Sequence, residues 1–208
     1  MNYLGHLLVL PDEGLLTLGN LLGDFFKGRP DRIEDRDLRL GVTLHRQIDR
    51  FTDAHPIVIH SKARISEERR RVSGALVDIF YDHFLAQDLD IDSFRVPLLP
   101  YAARLPENLR ELPSRMISTQ WLGSYSQIES VAYILTRMQQ HRSRIVGLIG
   151  AEQELLLHYA AFRQDCADFY PQLQSFTKEA IHRLRSASPE EPRQASAAAI
   201  ASDPHGTA

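Results

Sequence analysis

The sequence predicts an all-α fold, a single helical bundle, and two observations carry that reading. Apolar residues recur at three- and four-residue intervals through most of the chain, and strict alternation over the length of a strand is hard to find. Prolines at 11, 30, 56, 97, 100, 106 and 113 fall at the breaks, where a residue with fixed φ and no amide hydrogen ends one helix or opens the next. In order, helices are expected over 2–9, 14–27, 34–53, 56–71, 72–88, 92–110, 113–122, 127–149 and 151–185. Pro171 lies inside the last span and predicts a kink or a split there. From about Ala187 the chain turns to Ser, Ala, Pro and a few charges, with nothing large enough to bury. The expected organisation is one domain over 1–186 and a disordered tail over 187–208.

Composition narrows the class. At 208 residues, 43% hydrophobic and 25% charged, the chain has the balance of an ordinary globule with one sizeable core. Its formal net charge of -3 argues against a generally basic nucleic-acid binder. The single cysteine, Cys166, has no partner for an internal disulfide or a thiolate metal site and reads as a packing residue in a reducing compartment. The apolar run Leu7 to Leu10 has no basic segment before it and meets Pro11, Asp12 and Glu13 too soon for a signal peptide. No stretch approaches the ~20 apolar residues of a membrane span, so the expected location is cytoplasmic. No glycine-rich phosphate loop is present, which leaves phosphate chemistry to metal and side chains.

Three segments place ligand-type residues four apart, which on a helix sets them on one face a turn from each other. These are Asn20 with Asp24, His45 with Asp49 and then Asp53, and Asp78 with Asp82, followed at once by His83. Their setting is unusual, because Asn20 and Asp24 lie in LGNLLGDFF and Asp78, Asp82 and His83 lie in ALVDIFYDHFLA, both core-like runs. A carboxylate buried there needs a cation or several donors as its partner. One such pair alone usually marks a solvated helix face. Three on separate helices point instead to inward carboxylates and imidazoles, the way helical bundles build metal sites. An oxygen-rich set with one or two imidazoles suits Mn²⁺, Mg²⁺ or Fe²⁺ and tolerates Zn²⁺. His6, in MNYLGHLLVL, is an isolated imidazole on an apolar face, where a hydrogen-bonded core residue is commoner than a ligand. His55 precedes Pro56 at a helix end and reads as a cap or a solvent-facing side chain. His60, His141, His158 and His182 have no ligand-type neighbours at helical spacing and read as structural.

Arginines form the other group. Arg46 adjoins His45, and KARISEERRR over 62–71 carries five positive and two negative side chains. The stretch reads either as a solvated basic face or, through Lys62, Arg64, Arg69, Arg70 and Arg71, as a docking surface for an acidic partner. An arginine beside a metal could also clamp a phosphoryl oxygen.

Several of these segments resemble a known family. The opening stretch around His6, GNLLGDF, LHRQIDRFTDAHP, RRV and DIFYDHFLA look like the acyl carrier protein phosphodiesterases. QWLGSY around Trp121 and Tyr125, and HYAAF and DFYP around His158 and Tyr170, resemble them more loosely, and the likeness spans about residues 1–185. It implies an enzyme that hydrolyses the phosphodiester joining 4′-phosphopantetheine to a serine of holo-acyl carrier protein, with a divalent metal, typically Mn²⁺, and a distant relation to HD-domain phosphohydrolases. It implies site positions at Asp24, His45, Asp49, Asp82 and His83, with Asn20, Asp78 and His6 around them. The motif order is not the simple H…HD…D of ordinary HD enzymes, which leaves the assignment of ligands to metals open.

The resulting expectation is metal-assisted hydrolysis at phosphorus. Asp24, His45, Asp82 and His83 are expected as ligands, Asp49 as a ligand or as the group orienting His45, and Arg46 as the stabiliser of phosphoryl charge. Two alternatives stand beside it: an HD-like phosphohydrolase acting on nucleotides or another small phosphoester, and a non-catalytic helical adaptor.

Overall fold

A computed structural model describes residues 1–10, 13–87, 99–118, 121–141 and 145–187. Helix and 3₁₀ turns make up the regular structure of those residues, with no strand among them. The α-helices, in chain order, are α1 Tyr3–Leu8, α2 Leu15–Leu21, α3 Arg36–Ala54, α4 Pro56–Arg64, α5 Ser73–Gln87, α6 Leu112–Ser118, α7 Trp121–Ser124, α8 Ile128–His141, α9 Glu152–Leu157 and α10 Tyr159–Ala187.

The core is organised around α5. Leu76, Val77, Ile79, Phe80, Tyr81, Asp82, His83 and Phe84 are all buried, so the helix is enclosed on every side and packs against α1, α4, α8 and α10. A helix that is apolar all round is a core helix, which accounts for the unbroken run in ALVDIFYDHFLA. Helix α3 is amphipathic by contrast and lays Leu38, Val42, Leu44, His45 and Ile48 against α2 and α10. Its start is set by Asp35, whose carboxylate accepts from the amides of Asp37 and Leu38 at 3.0 and 3.1 Å. Helix α4 follows immediately, with Pro56 at its first turn and His55 Nδ1 accepting from the Ile57 amide, so His55 serves as a cap.

The crossing of α2 and α3 positions the site. A methyl group at Gly19 would lie 3.0 Å from the Gly41 Cα, and one at Gly41 would lie 2.8 Å from the Asn20 amide nitrogen. Only two glycines let these backbones approach so closely.

Several helix ends differ from the periodicity reading. The span 14–27 stops as a helix at Leu21, and Gly23–Phe25 forms a 3₁₀ turn where a side chain at Gly23 would collide with the His45 ring. The span 56–71 divides into α4 and a 3₁₀ turn over Glu67–Val72. The span 127–149 ends at His141, and the chain then turns through Gly147 and Gly150 at φ 102° and 77°, a region glycine adopts without strain. Of 92–110, residues 92–98 lie outside those described, and Leu99–Arg104 and Glu107–Leu109 are 3₁₀ turns. The last span divides at His158, whereas α10 runs on through Pro171. There the Gln172 side chain donates to the Asp168 carbonyl at 2.9 Å. The tail expected over 187–208 lies outside the described residues from 188 onward.

Candidate metal centre

Two histidines and an aspartate converge where α1 and α2 meet α3. His6 comes from α1, His45 and Asp49 from successive turns of α3, and their ligand-type atoms all lie within 4.8 Å of one another. The two imidazoles stack with ring centroids 4.0 Å apart.

Asn20 orients both rings. Its Nδ2 donates to the His6 carbonyl at 2.6 Å, which leaves its Oδ1 to accept from His6 Nδ1 at 3.1 Å. Its main-chain carbonyl accepts from His45 Nδ1 at 2.7 Å. Each imidazole spends its Nδ1 hydrogen on Asn20 and turns Nε2 into the cluster, the second-nitrogen support that ligating histidines have. His6 Nε2 lies 3.1 Å from Asp49 Oδ1 and 3.1 Å from the Met1 carbonyl. His45 Nε2 lies 3.2 Å from Asp49 Oδ2 and 3.4 Å from Asp24 Oδ1.

Those four neighbours are all acceptors, which a proton on an imidazole or a bound cation would satisfy. A proton can serve His45: burial opposes its charge, but Asp24 and Asp49 outweigh that and raise its pKa to about 9. Burial disfavours a second proton on His6 and lowers its pKa to about 4, against the pull of Asp49. With the Nδ1 hydrogen on Asn20, its Nε2 lone pair faces the Asp49 and Met1 oxygens, an arrangement that a metal ion between them would relieve. Separations of 3.1–3.4 Å suit that arrangement. Neighbouring ligands on an ion with bonds of ~2.1 Å are roughly 3.0–3.4 Å apart. Burial works against the Asp49 carboxylate, but the hydrogen bond from His45 and the charge of the nearby Met1 amino group hold its pKa well below the usual range. The exposed Asp24 carboxylate is also held low, chiefly by His45.

Asp78 stands beside this cluster. Its Oδ2 lies 3.2 Å from the Met1 amino nitrogen, which also lies 3.4 Å from Asp49 Oδ1. Burial pushes the Asp78 carboxyl up, and the amino group opposes that.

The structure does not bring Asp82 and His83 into the cluster. Asp82 is fully buried, and its two oxygens accept from the amides of Leu4 and Gly5 at 2.9 Å each, closing the first turn of α1. Burial raises its pKa to about 7 against the effect of those amides. His83 Nδ1 donates to the Tyr125 carbonyl at 2.8 Å, and its Nε2 meets the Tyr159 hydroxyl at 3.1 Å. They are consecutive in sequence, and on a helix that is about 100° of rotation, so they face different neighbours. Arg46 is turned away as well: its guanidinium donates to the carbonyls of Phe26 and Gly28 and braces that loop.

The basic stretch is largely paired within the molecule. Lys62 binds Asp53 at 2.7 Å, Arg64 binds Asp165 at 3.2 Å, and Arg69 lies 3.5 Å from Glu154 and donates to the Gly147 carbonyl. Arg70 donates to the Lys62 carbonyl. Arg70 and Arg71 are exposed and make no ion pair among the described residues. Cys166 is buried against the Tyr81 carbonyl.

Sequence reasoning placed His6 behind Asp82 and His83, and the structure reverses that order at the cluster. An isolated histidine in an apolar run carries no spacing signal toward residues 39 positions away, and the Met1 carbonyl carries none at all.

The fold and this site define an all-α protein with an inward-facing His–Asp cluster suited to a cation. The chain belongs to the acyl carrier protein phosphodiesterase family, whose pattern matches residues 1–173. A relative of that name from Photorhabdus laumondii is 34% identical over 184 residues, covering 82% of this chain and 92% of the relative. Those from Pectobacterium atrosepticum and Yersinia enterocolitica are 31% and 30% identical, covering 86% and 84% of this chain and 98% and 96% of theirs. No solved structure matches at a significant level.

Proposed function

We propose that this chain is a metal-dependent phosphodiesterase that cleaves the 4′-phosphopantetheine–serine diester of holo-acyl carrier protein, giving the apo carrier and 4′-phosphopantetheine. Family membership supports the substrate, and the observation that carries metal dependence is His6 Nε2 facing two oxygen acceptors. His6, His45 and Asp49 would hold the ion, and Asp24 would complete the set from its exposed side. When bound, a divalent cation supplies the Lewis acidity that makes water nucleophilic near neutral pH and draws charge from a phosphoryl oxygen. Mn²⁺ suits two imidazoles with carboxylates, and Mg²⁺ or Fe²⁺ could take its place.

The residues divide the remaining tasks. Asn20 fixes both imidazoles in the tautomer that exposes Nε2, and Asp82 holds α1 so that His6 reaches α3. Asp49 bridges the two histidines. Hydrolysis adds hydroxide to phosphorus, breaks the bond from phosphorus to the serine oxygen, and leaves a proton on that oxygen. Arg70 and Arg71, exposed on the turn before α5, are the cations left for steering an acidic carrier.

Mass spectrometry of holo carrier after incubation tests the reading. Loss of the phosphopantetheine group is expected, abolished by chelation and restored by Mn²⁺. Turnover in rigorously metal-free protein would remove the metal assignment, and hydrolysis of nucleotides with an intact carrier would move the substrate to small phosphoesters. Inertness toward both would leave a helical adaptor.

A further inference from the structure

A cleft of about 340 Å³ opens beside the candidate metal centre, with Asp24 and Asp78 among its walls. Helix α8 lines it with Ile134, Arg137, Met138 and His141, and α5 faces them with Ala75, Asp78 and Ile79. Each set falls at the i, i+3, i+4 spacing that puts side chains on one helical face, so two helices present matched stripes to one space.

Arg137 is the informative residue. It is exposed and its guanidinium makes no ion pair or hydrogen bond among the described residues, although two carboxylates line the same cleft. Those carboxylates are engaged elsewhere, Asp24 with His45 and Asp78 with the Met1 amino group. The Arg137 carbonyl accepts from His141 Nδ1 at 2.8 Å, which turns the other ring nitrogen away from that bond. Asp24, which faces His45 of the candidate metal centre, lines the same cleft as this guanidinium, so an anion in the cleft would lie between the two. Phosphoryl oxygens match its planar fork. The cleft also has apolar walls in Ile79, Ile134 and Met138, which inorganic phosphate would leave uncovered. Its volume lies at the lower end of the ~300–1,000 Å³ typical of small-molecule sites.

We propose that this cleft seats an organic phosphate, the phosphoryl group and pantetheine arm of the diester, and that Arg137 is its anion-binding residue. The assignment rests on the metal-dependent phosphodiesterase reading above and adds to it where the arm lies and which side chain holds its charge. No spacing pattern in the sequence singles out Arg137, and His141 reads there as structural.

The test is calorimetric titration of the Mn²⁺-loaded full-length protein with 4′-phosphopantetheine, and with inorganic phosphate and dephosphorylated pantetheine for comparison. The wild type is expected to bind 4′-phosphopantetheine more tightly than either. Arg137→Ala should weaken that binding about tenfold or more, with Arg137→Lys in between and with metal content and melting temperature unchanged, because Arg137 is exposed. Affinity within twofold of wild type in Arg137→Ala, or no preference over inorganic phosphate, would overturn the assignment. The same preparations report separately on the underlying reading. Wild type that loads Mn²⁺ and cleaves holo carrier, beside an unchanged Arg137→Ala, overturns the cleft alone. Wild type that does neither overturns both.

Discussion

At the scale of single residues, the decisive contacts are those of Asn20, whose side chain and backbone each hold one imidazole. The consequence is a measurable competition between proton and metal at His45. In metal-free protein its pKa is raised to about 9, so at pH 7 it is an imidazolium and metal must displace its proton. Metal affinity is expected to rise about tenfold per pH unit from neutrality and to level off as the pH passes about 9. Competition with a fluorescent chelator between those limits measures it, and a flat profile would remove His45 from the ligand set. The stability of the metal-free protein runs the other way. Because the folded pKa exceeds the unfolded value of about 6.5, the stabilisation is complete below about 6.5 and disappears as the pH rises through about 9.

At the scale of elements, α1 is a two-turn helix too short to be stable alone, and α5 holds it by one side chain. Asp82 accepts from the Leu4 and Gly5 amides within the buried core, two residues from His6. Asp82→Ala leaves both amides without partners, at a cost of about 1–3 kcal/mol each. Its denaturation midpoint should fall by that order with or without chelator, and metal affinity should fall with it as His6 loses its place. Asp49→Ala should behave differently, losing metal while the chelated protein loses stability chiefly through the His45 imidazolium, so that its loss shrinks as the pH rises through about 9. Denaturation curves of both variants with and without metal separate the two roles, and identical behaviour would mean that Asp82 lies in the ligand set after all.

At the scale of the whole molecule, the basic stretch before α5 serves two purposes that charge reversal distinguishes. Arg64 ties α4 to α10 through Asp165, which also accepts from the buried Ser61 hydroxyl at 2.7 Å. Arg64→Glu places a second carboxylate there and should lower the melting temperature. Arg70→Glu and Arg71→Glu disturb no ion pair among the described residues and should leave stability alone. If they steer the carrier, they should reduce kcat/KM on holo carrier by about fivefold or more at low salt, with kcat little changed and the difference shrinking as salt rises. A small phosphodiester without the protein moiety should show no loss. Steady-state kinetics across a salt series decides, and equal losses on both substrates would mean that the two arginines act in the chemistry.

The sequence by itself determined the helical class, because three- and four-residue periodicity is a local consequence of helix geometry. It also determined which stretches carry polar groups into the core: Asn20, Asp82 and His83 are buried, as LGNLLGDFF and DIFYDHFLA implied, whereas Asp24 of the first run is exposed. Spacing within one helix was legible for the same reason, and His45 with Asp49 is the pair that the cluster keeps. Only the tertiary structure decided which buried groups meet. Gly19 and Gly41 let α2 approach α3 until Asn20 reaches His45, and Gly23 leaves room for the ring, yet each is an ordinary small residue in a one-dimensional reading. His6 joins Asp49 across 43 positions, while the equally polar Asp82 spends both oxygens on backbone amides. Whether a buried carboxylate meets a cation or an amide depends on where helices cross. Crossing is set by the packing of many distant side chains at once, and no local pattern encodes it.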